Sequence, residues 1–179
     1  MVKLKQEIKK EFNTQLNKNE YKIVLTGYEL NGINIPLDPN NRYYKKVQEL
    51  ILKGEVPEYQ YTEKDVISYI KSEKIEVFKS KRKQLTNNIV ITLTTGEELN
   101  GDEVSQSRLL RAFNLLDDTS TVNWIDANNN LVTLDKTKIQ QSLTKATEEQ
   151  SNIFVTYNKY RDQVNTATTQ DELSEIKWD

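Results

Sequence analysis

Histidine and cysteine are both absent from this chain. Without cysteine there is no disulfide, no thiol nucleophile and no thiolate metal site. Without histidine, the side chain most used for proton transfer near neutral pH is missing, and so is the commonest metal ligand. Ser-His-Asp and Cys-His catalysis, and zinc chemistry of the His-Glu-x-x-His kind, are thereby excluded. Glycine is scarce, at five residues, and neither Gly-x-x-x-x-Gly-Lys nor Gly-x-Gly-x-x-Gly occurs, so no phosphate cradle and no cofactor is expected. No apolar run reaches the ~18 residues of a membrane helix, and the start, Met1-Val2-Lys3-Leu4-Lys5-Gln6, lacks the apolar stretch of a secretory signal. The expectation is a protein of the cytoplasm with no membrane partner.

What is present is a modest core and a balanced surface. Of 179 residues, 36% are hydrophobic and 29% charged, which suits one domain or two small ones. Lys and Arg number 25 against 27 acidic residues, and a net charge of −2 argues against nucleic acid as the main partner. A binding or structural role is expected, and no enzyme.

The pattern along the chain predicts an α+β fold: an N-terminal region over 1–60 and a C-terminal domain over 61–179. Leu4, Ile8, Phe12 and Leu16 recur every fourth position, which predicts an amphipathic helix over 3–17. The stretch 21–26 is rich in β-branched residues, and Asn31-Gly32 before Ile33-Asn34-Ile35 signals a hairpin. All three prolines lie between 36 and 57. Asp38 with Pro39 predicts a capped helix start, Gly54 its end, and Tyr44, Val47 and Ile51, flanked by Tyr43 and Leu50, its apolar face. Residues 55–61 read as an extended linker. A second helix starts at the Thr62-Glu63-Lys64-Asp65 box and runs to about 86. Hairpins are predicted over 89–99 and 122–134, with a helix over 103–117 whose Leu109, Leu110, Phe113 and Leu116 point inward. Glu-Leu-Asn-Gly occurs at both 29–32 and 98–101, as two turns made the same way.

From Ile139 to Val164, apolar positions alternate at steps of four and three through Leu143, Ala146, Gln150, Ile153, Tyr157 and Tyr160. Such a seam either packs on its own domain or pairs with a second copy, making a homo-oligomer through 139–164. Thr169 to Glu172 then caps a short helix ending near Trp178, and Trp124 and Trp178 serve as core anchors.

Candidate chemistry is sparse. The basic run Lys79-Ser80-Lys81-Arg82-Lys83 could touch phosphates, but it reads better as a solvated helix face, with no aromatic stacking set around it. The acidic pairs Asp117-Asp118 and Glu97-Glu98 fall at element ends, where capping uses them. Asp126 to Asn130 lacks the glycine and distal glutamate of a calcium loop. No metal site is expected.

Two stretches carry a resemblance. Ile35-Pro36-x-Asp38-x-x-Asn41-x-x-Tyr44, followed by Gly54 and Pro57, resembles a segment of tail-fibre assembly proteins and related small tail proteins of tailed phages. Where that pattern carries a tryptophan before its glycine, this chain has Leu50 and Ile51. Residues 75–179 are similar to an uncharacterised C-terminal domain that follows this segment in phage and prophage tail proteins. The matching residues are Gly101-Asp102, Ser107-Arg108, Val122-x-Trp124, Asn129-x-Leu131-Val132-Thr133-Leu134 and Glu172-Leu173-x-x-Ile176-x-Trp178.

The resemblance implies a non-catalytic protein that binds a tail-fibre polypeptide in the bacterial host cytoplasm and assists its trimer assembly, with the virion tail as a second location. Pro36, Asp38, Asn41, Tyr43, Tyr59 and Tyr61 are the candidate contact residues, because rigid aromatic residues around a proline-rich stretch suit an interface. The alternatives are a permanent component of the virion tail and a phage regulator binding nucleic acid through 79–83.

Overall fold

The computed structural model describes residues 2–14, 18–55 and 61–178. In chain order the elements are β1 (Val2–Asn13), β2 (Lys18–Leu30), β3 (Ile33–Pro36), α1 (Arg42–Leu52), α2 (Glu63–Asn87), β4 (Val90–Thr92) and β5 (Glu98–Asn100). They continue with α3 (Glu103–Leu115), β6 (Thr121–Ile125), β7 (Leu131–Asp135), α4 (Lys136–Thr166) and α5 (Gln170–Glu175). The fold is α+β, with three small antiparallel sheets among the described residues. Two compact units form: Met1–Lys74 with Val164–Lys177, and Ile75–Gln163 with Trp178.

In the first unit the sheet order is β1-β2-β3. The predicted helix over 3–17 is instead strand β1, and position 16 lies outside the described residues. A spacing of four is a multiple of two as well as nearly one helical turn, so Leu4 and Ile8 share one face of a strand just as they would share a helix face. What decides is the partner. Val2 pairs with Leu30, Leu4 with Tyr28 and Ile8 with Ile23, while Lys3 meets Glu29 and Lys9 meets Lys22 on the other face. A register shift between Lys5 and Gln6 leaves Thr26 as the extra residue of a bulge, and its hydroxyl donates to the Lys5 carbonyl at 3.1 Å. The bulge moves the apolar positions of β2 from 21, 23 and 25 to 28 and 30 without changing face.

The predicted turn at Asn31-Gly32 is present. Both residues have positive φ, 52° and 82°, as a two-residue type I′ hairpin requires. The start of α1 differs from expectation. Asn41 is the N-cap, its side-chain oxygen accepting the Tyr43 N–H at 2.8 Å and the Tyr44 N–H at 3.3 Å. Asp38 sits earlier and forms its own turn, accepting the Asn40 N–H at 2.8 Å. Asparagine and aspartate both suit a cap, and a further cap three residues on competes for the helix start. At the other end Gly54 N–H donates to the Ile51 carbonyl at 3.0 Å and Glu55 N–H to Leu50 at 3.1 Å, the paired bonds of a Schellman stop. Residues 56–60, the core of the expected linker, lie outside the described residues.

The core of this unit gathers Val2, Tyr28, Leu30, Ile35 and Val47, with Leu4, Leu25, Tyr43, Tyr44, Leu50 and Ile51 packed around it. Tyr28 and Tyr44 meet edge to face, centroids 5.9 Å apart. Farther along the hairpin, Tyr21 packs against Tyr69 at 6.2 Å and its hydroxyl donates to Glu73. Burial and that hydrogen bond raise the Tyr21 phenol above its ordinary pKa. The Gln170 side-chain amide accepts the Tyr21 N–H and donates to the Tyr21 carbonyl, both at 3.2 Å. In doing so it takes the two bonds a neighbouring strand residue would make.

The second unit is built on Ile89, Ile91, Leu93, Leu99, Leu109, Leu134, Ile139 and Ala146, all buried. Both predicted hairpins are here, as β4–β5 and β6–β7. On α3, Leu109, Phe113 and Leu116 pack on this core as expected, but Leu110 is 51% exposed and Ala112 takes the inward place. Ile139, Leu143, Ala146 and Ile153 of the heptad seam pack on the same core, so this stretch is covered within its own chain. Tyr157 and Tyr160 lie against Trp178, which stacks on Tyr160 at 5.9 Å and meets Phe78 at 6.0 Å.

The repeated Glu-Leu-Asn-Gly does not make two like turns. The first copy ends in the hairpin turn; the second is β5 itself followed by Gly101. There a Cβ would lie 2.6 Å from the Ile89 side chain and 3.0 Å from that of Ile91. Gly101→Ala is therefore expected to cost about 1–3 kcal/mol from overpacking, read as a lower denaturation midpoint with unchanged slope.

Candidate protein-contact surface

The six candidate contact residues occupy different situations. Pro36 ends β3 and is exposed, and Leu37, 42% exposed, and Asp38 follow it. The loop that carries them is fixed at both ends: Ile35 is buried in the core on one side, and the capped α1 begins on the other. Asp38 and Asn41 spend their side-chain oxygens on the turn and the cap, so their part in a contact surface is to hold its shape. Tyr43 is half-buried against the core, and the Arg42 guanidinium lies 4.7 Å from its ring centroid. Tyr61 is half-buried, its backbone N–H donating to the Gln6 side chain at 3.1 Å. Tyr59 lies outside the described residues. Pro36, Asp38, Asn41 and Tyr43 thus form one continuous stretch, and no described contact joins Tyr61 to it.

The basic run on α2 has a neighbour that sequence reading missed. Arg82 lies over the rings of Tyr157, at 4.4 Å, and Phe154, at 5.3 Å. Arg82 and Phe154, with Lys79, Lys83, Glu103 and Gln150, line an open groove. The aromatic pair comes from α4, some seventy positions away, and local spacing carries no signal for it. Lys79 is engaged with Glu76 at 2.6 Å, the solvated pairing expected of such a face.

The acidic pairs are structural. Asp117 accepts from Thr119 and Ser120, which hold its carboxyl down at about 2. Asp118 pairs with Lys136 at 3.1 Å. Glu97 accepts from Lys138 at 2.5 Å and from the Thr95 hydroxyl, and these bonds lower its carboxyl to about 2. Asp126, buried, accepts the N–H groups of Asn128 and Asn130, each at 2.8 Å, and so ties the β6–β7 turn together. Among the described residues no group of three or more acidic side chains is placed to hold a metal ion. No described helix is long and apolar enough to cross a membrane.

A comparison with protein families matches residues 69–177 to DUF4376, a domain of unknown function. The chain belongs to this family. The DUF4376 match begins inside α2 and runs almost to the end of the chain, leaving β1–β3 and α1 outside it. No curated protein and no solved structure matched the chain.

Two outcomes follow. Asn41→Ala should cost about 1 kcal/mol by removing the α1 cap, read in chemical denaturation. Glu97 has a folded-state pKa below its ordinary value of 4.5, so it stabilises the fold above that pH and loses its contribution as pH falls toward about 2. Unfolding midpoints of Glu97→Gln should therefore vary less than those of the parent between these two pH values, while differing most near neutrality.

Proposed function

We propose that this protein is a non-catalytic assembly partner of a phage or prophage tail fibre, acting in the bacterial host cytoplasm. The observation that carries the reading is the exposed Pro36-Leu37-Asp38 loop, whose shape is set by the buried Ile35 before it and the Asn41 cap after it. A preformed loop loses little conformational entropy on binding, which is how a small surface holds an extended partner. The Ile-Pro-x-Asp-x-x-Asn-x-x-Tyr pattern that resembles tail-fibre assembly proteins falls on this loop and the first turn of α1. Fibre trimers rest on long-range strand pairing, which is slow and leaves edges open to aggregation. A bound helper shields those edges until the trimer closes. Contact is all that this task needs, and a chain without histidine or cysteine can supply it.

Co-expression tests this directly. The fibre polypeptide should form soluble trimer with this protein present and aggregate without it. Leu37→Asp, on the exposed loop, should reduce trimer yield several-fold while leaving the helper's own denaturation midpoint unchanged. Fibre that trimerises equally well alone would overturn the reading. Recovery of the protein at fixed stoichiometry from purified particles would make it a tail component instead.

A further inference from the structure

We propose that the groove beside Arg82 in the second unit is a docking site for an acidic stretch of polypeptide, held extended with carboxylates at alternate positions and an apolar side chain between them. The groove lies within the DUF4376 match and away from the loop over 36–38, so the inference stands apart from the tail-fibre reading.

On α2, Arg82, Lys83 and Thr86 lie three, four and seven positions on from Lys79, so the four share one helix face, and all of them line the groove. The lining continues with Gln150 and Phe154, about one turn apart on α4, and with Glu103 at the start of α3. Phe154 is 40% exposed, an open apolar spot among polar side chains. The Arg82 guanidinium rests over the rings of Tyr157 and Phe154, which orders a long side chain in advance of any partner. A guanidinium has five N–H donors, and among the described residues none of those on Arg82 finds an acceptor. Lys83 likewise has no carboxylate partner among them. Lys79 is paired with Glu76 on the exposed surface, a contact weak enough to exchange.

The spacing of these groups selects the occupant. The groove follows α2 from Lys79 to Asn87, about 12 Å at the helical rise, which is the length of about four extended residues. Carboxylates at alternate positions of such a chain lie about 7 Å apart on one side, close to the ~6 Å rise between Lys79 and Lys83. Arg82, on the same face between them, adds a planar fork that takes a carboxylate through two bonds. The residue between the two carboxylates turns the other way, toward the α4 wall that carries Phe154. Gln150 and Asn87 each have an amide that both donates and accepts, as a peptide main chain requires. A nucleic-acid strand fits less well. It presents a phosphate at every step and gains from free ring faces on which to stack. Here Glu76 and Glu103 interrupt the positive field, and Arg82 already lies over Phe154.

Fluorescence anisotropy with the labelled peptide Ser-Glu-Leu-Glu-Ser tests this, with Ser-Gln-Leu-Gln-Ser as its uncharged counterpart. The acidic peptide should bind and be released as salt rises, and the glutamine counterpart should bind on the order of tenfold more weakly. Arg82→Gln should weaken binding of the acidic peptide on the order of tenfold, and Arg82→Lys several-fold although it keeps the charge, because the fork is lost. Lys81→Gln removes the same charge from the same run at a position that does not line the groove, and should leave binding unchanged. Failure of the acidic peptide to bind, equal binding of the two peptides, or equal losses from Lys81→Gln and Arg82→Gln would each overturn the proposal. So would displacement of the labelled peptide by a thymidine oligonucleotide of equal charge at lower concentration than unlabelled peptide requires. Should Arg82→Gln alter the circular dichroism spectrum, Lys83→Gln, at an exposed position, decides. It should weaken binding several-fold, and unchanged binding would refute the site.

Discussion

The pairing of β1 with β2 is the constraint on which the first unit depends. A two-stranded ribbon has one face to bury and is at best marginal by itself in water. Here the apolar face is covered in two places by different means. Near the Asn31-Gly32 turn, α1 brings Val47 and its tyrosines onto Val2, Tyr28 and Leu30. Toward the far end, Tyr21 is held by Tyr69, Glu73 and Gln170, side chains that come from α2 and α5. The bulge at Thr26 joins the two halves, because without it the apolar residues of β2 on either side would point to opposite faces.

Local signals with a mechanism were legible in the amino-acid pattern. Asn31-Gly32, the Thr169 capping box, Gly54 and the short hairpins each depend on residues within a few positions, and each is where local chemistry puts it. The error over residues 3–17 has a different origin. A repeat of four satisfies both periods, and only pairing with residues 18–30 separates them. Leu110 shows the same limit on α3, since a helix stripe wide enough for two neighbours does not say which one the core will admit.

The candidate surface was legible as a stretch of chain but not as a division of labour. Asp38 and Asn41 stood out as members of the Ile-Pro-x-Asp-x-x-Asn pattern, and both are occupied in shaping the loop. The groove at Arg82 illustrates the converse. The rings under Arg82, Phe154 and Tyr157, lie on and beside a regular heptad seam, which concealed that one side of that helix meets a basic run.

The bond between Gln170 and Tyr21 joins residues 149 positions apart. The whole of 75–163 lies between them in the chain and folds around its own core. On the ribosome the hairpin therefore emerges early and waits, with one end of its ladder open, until a segment made much later arrives to close it. Completion of the first unit thus waits until the second has been made, and is governed by loop closure over it.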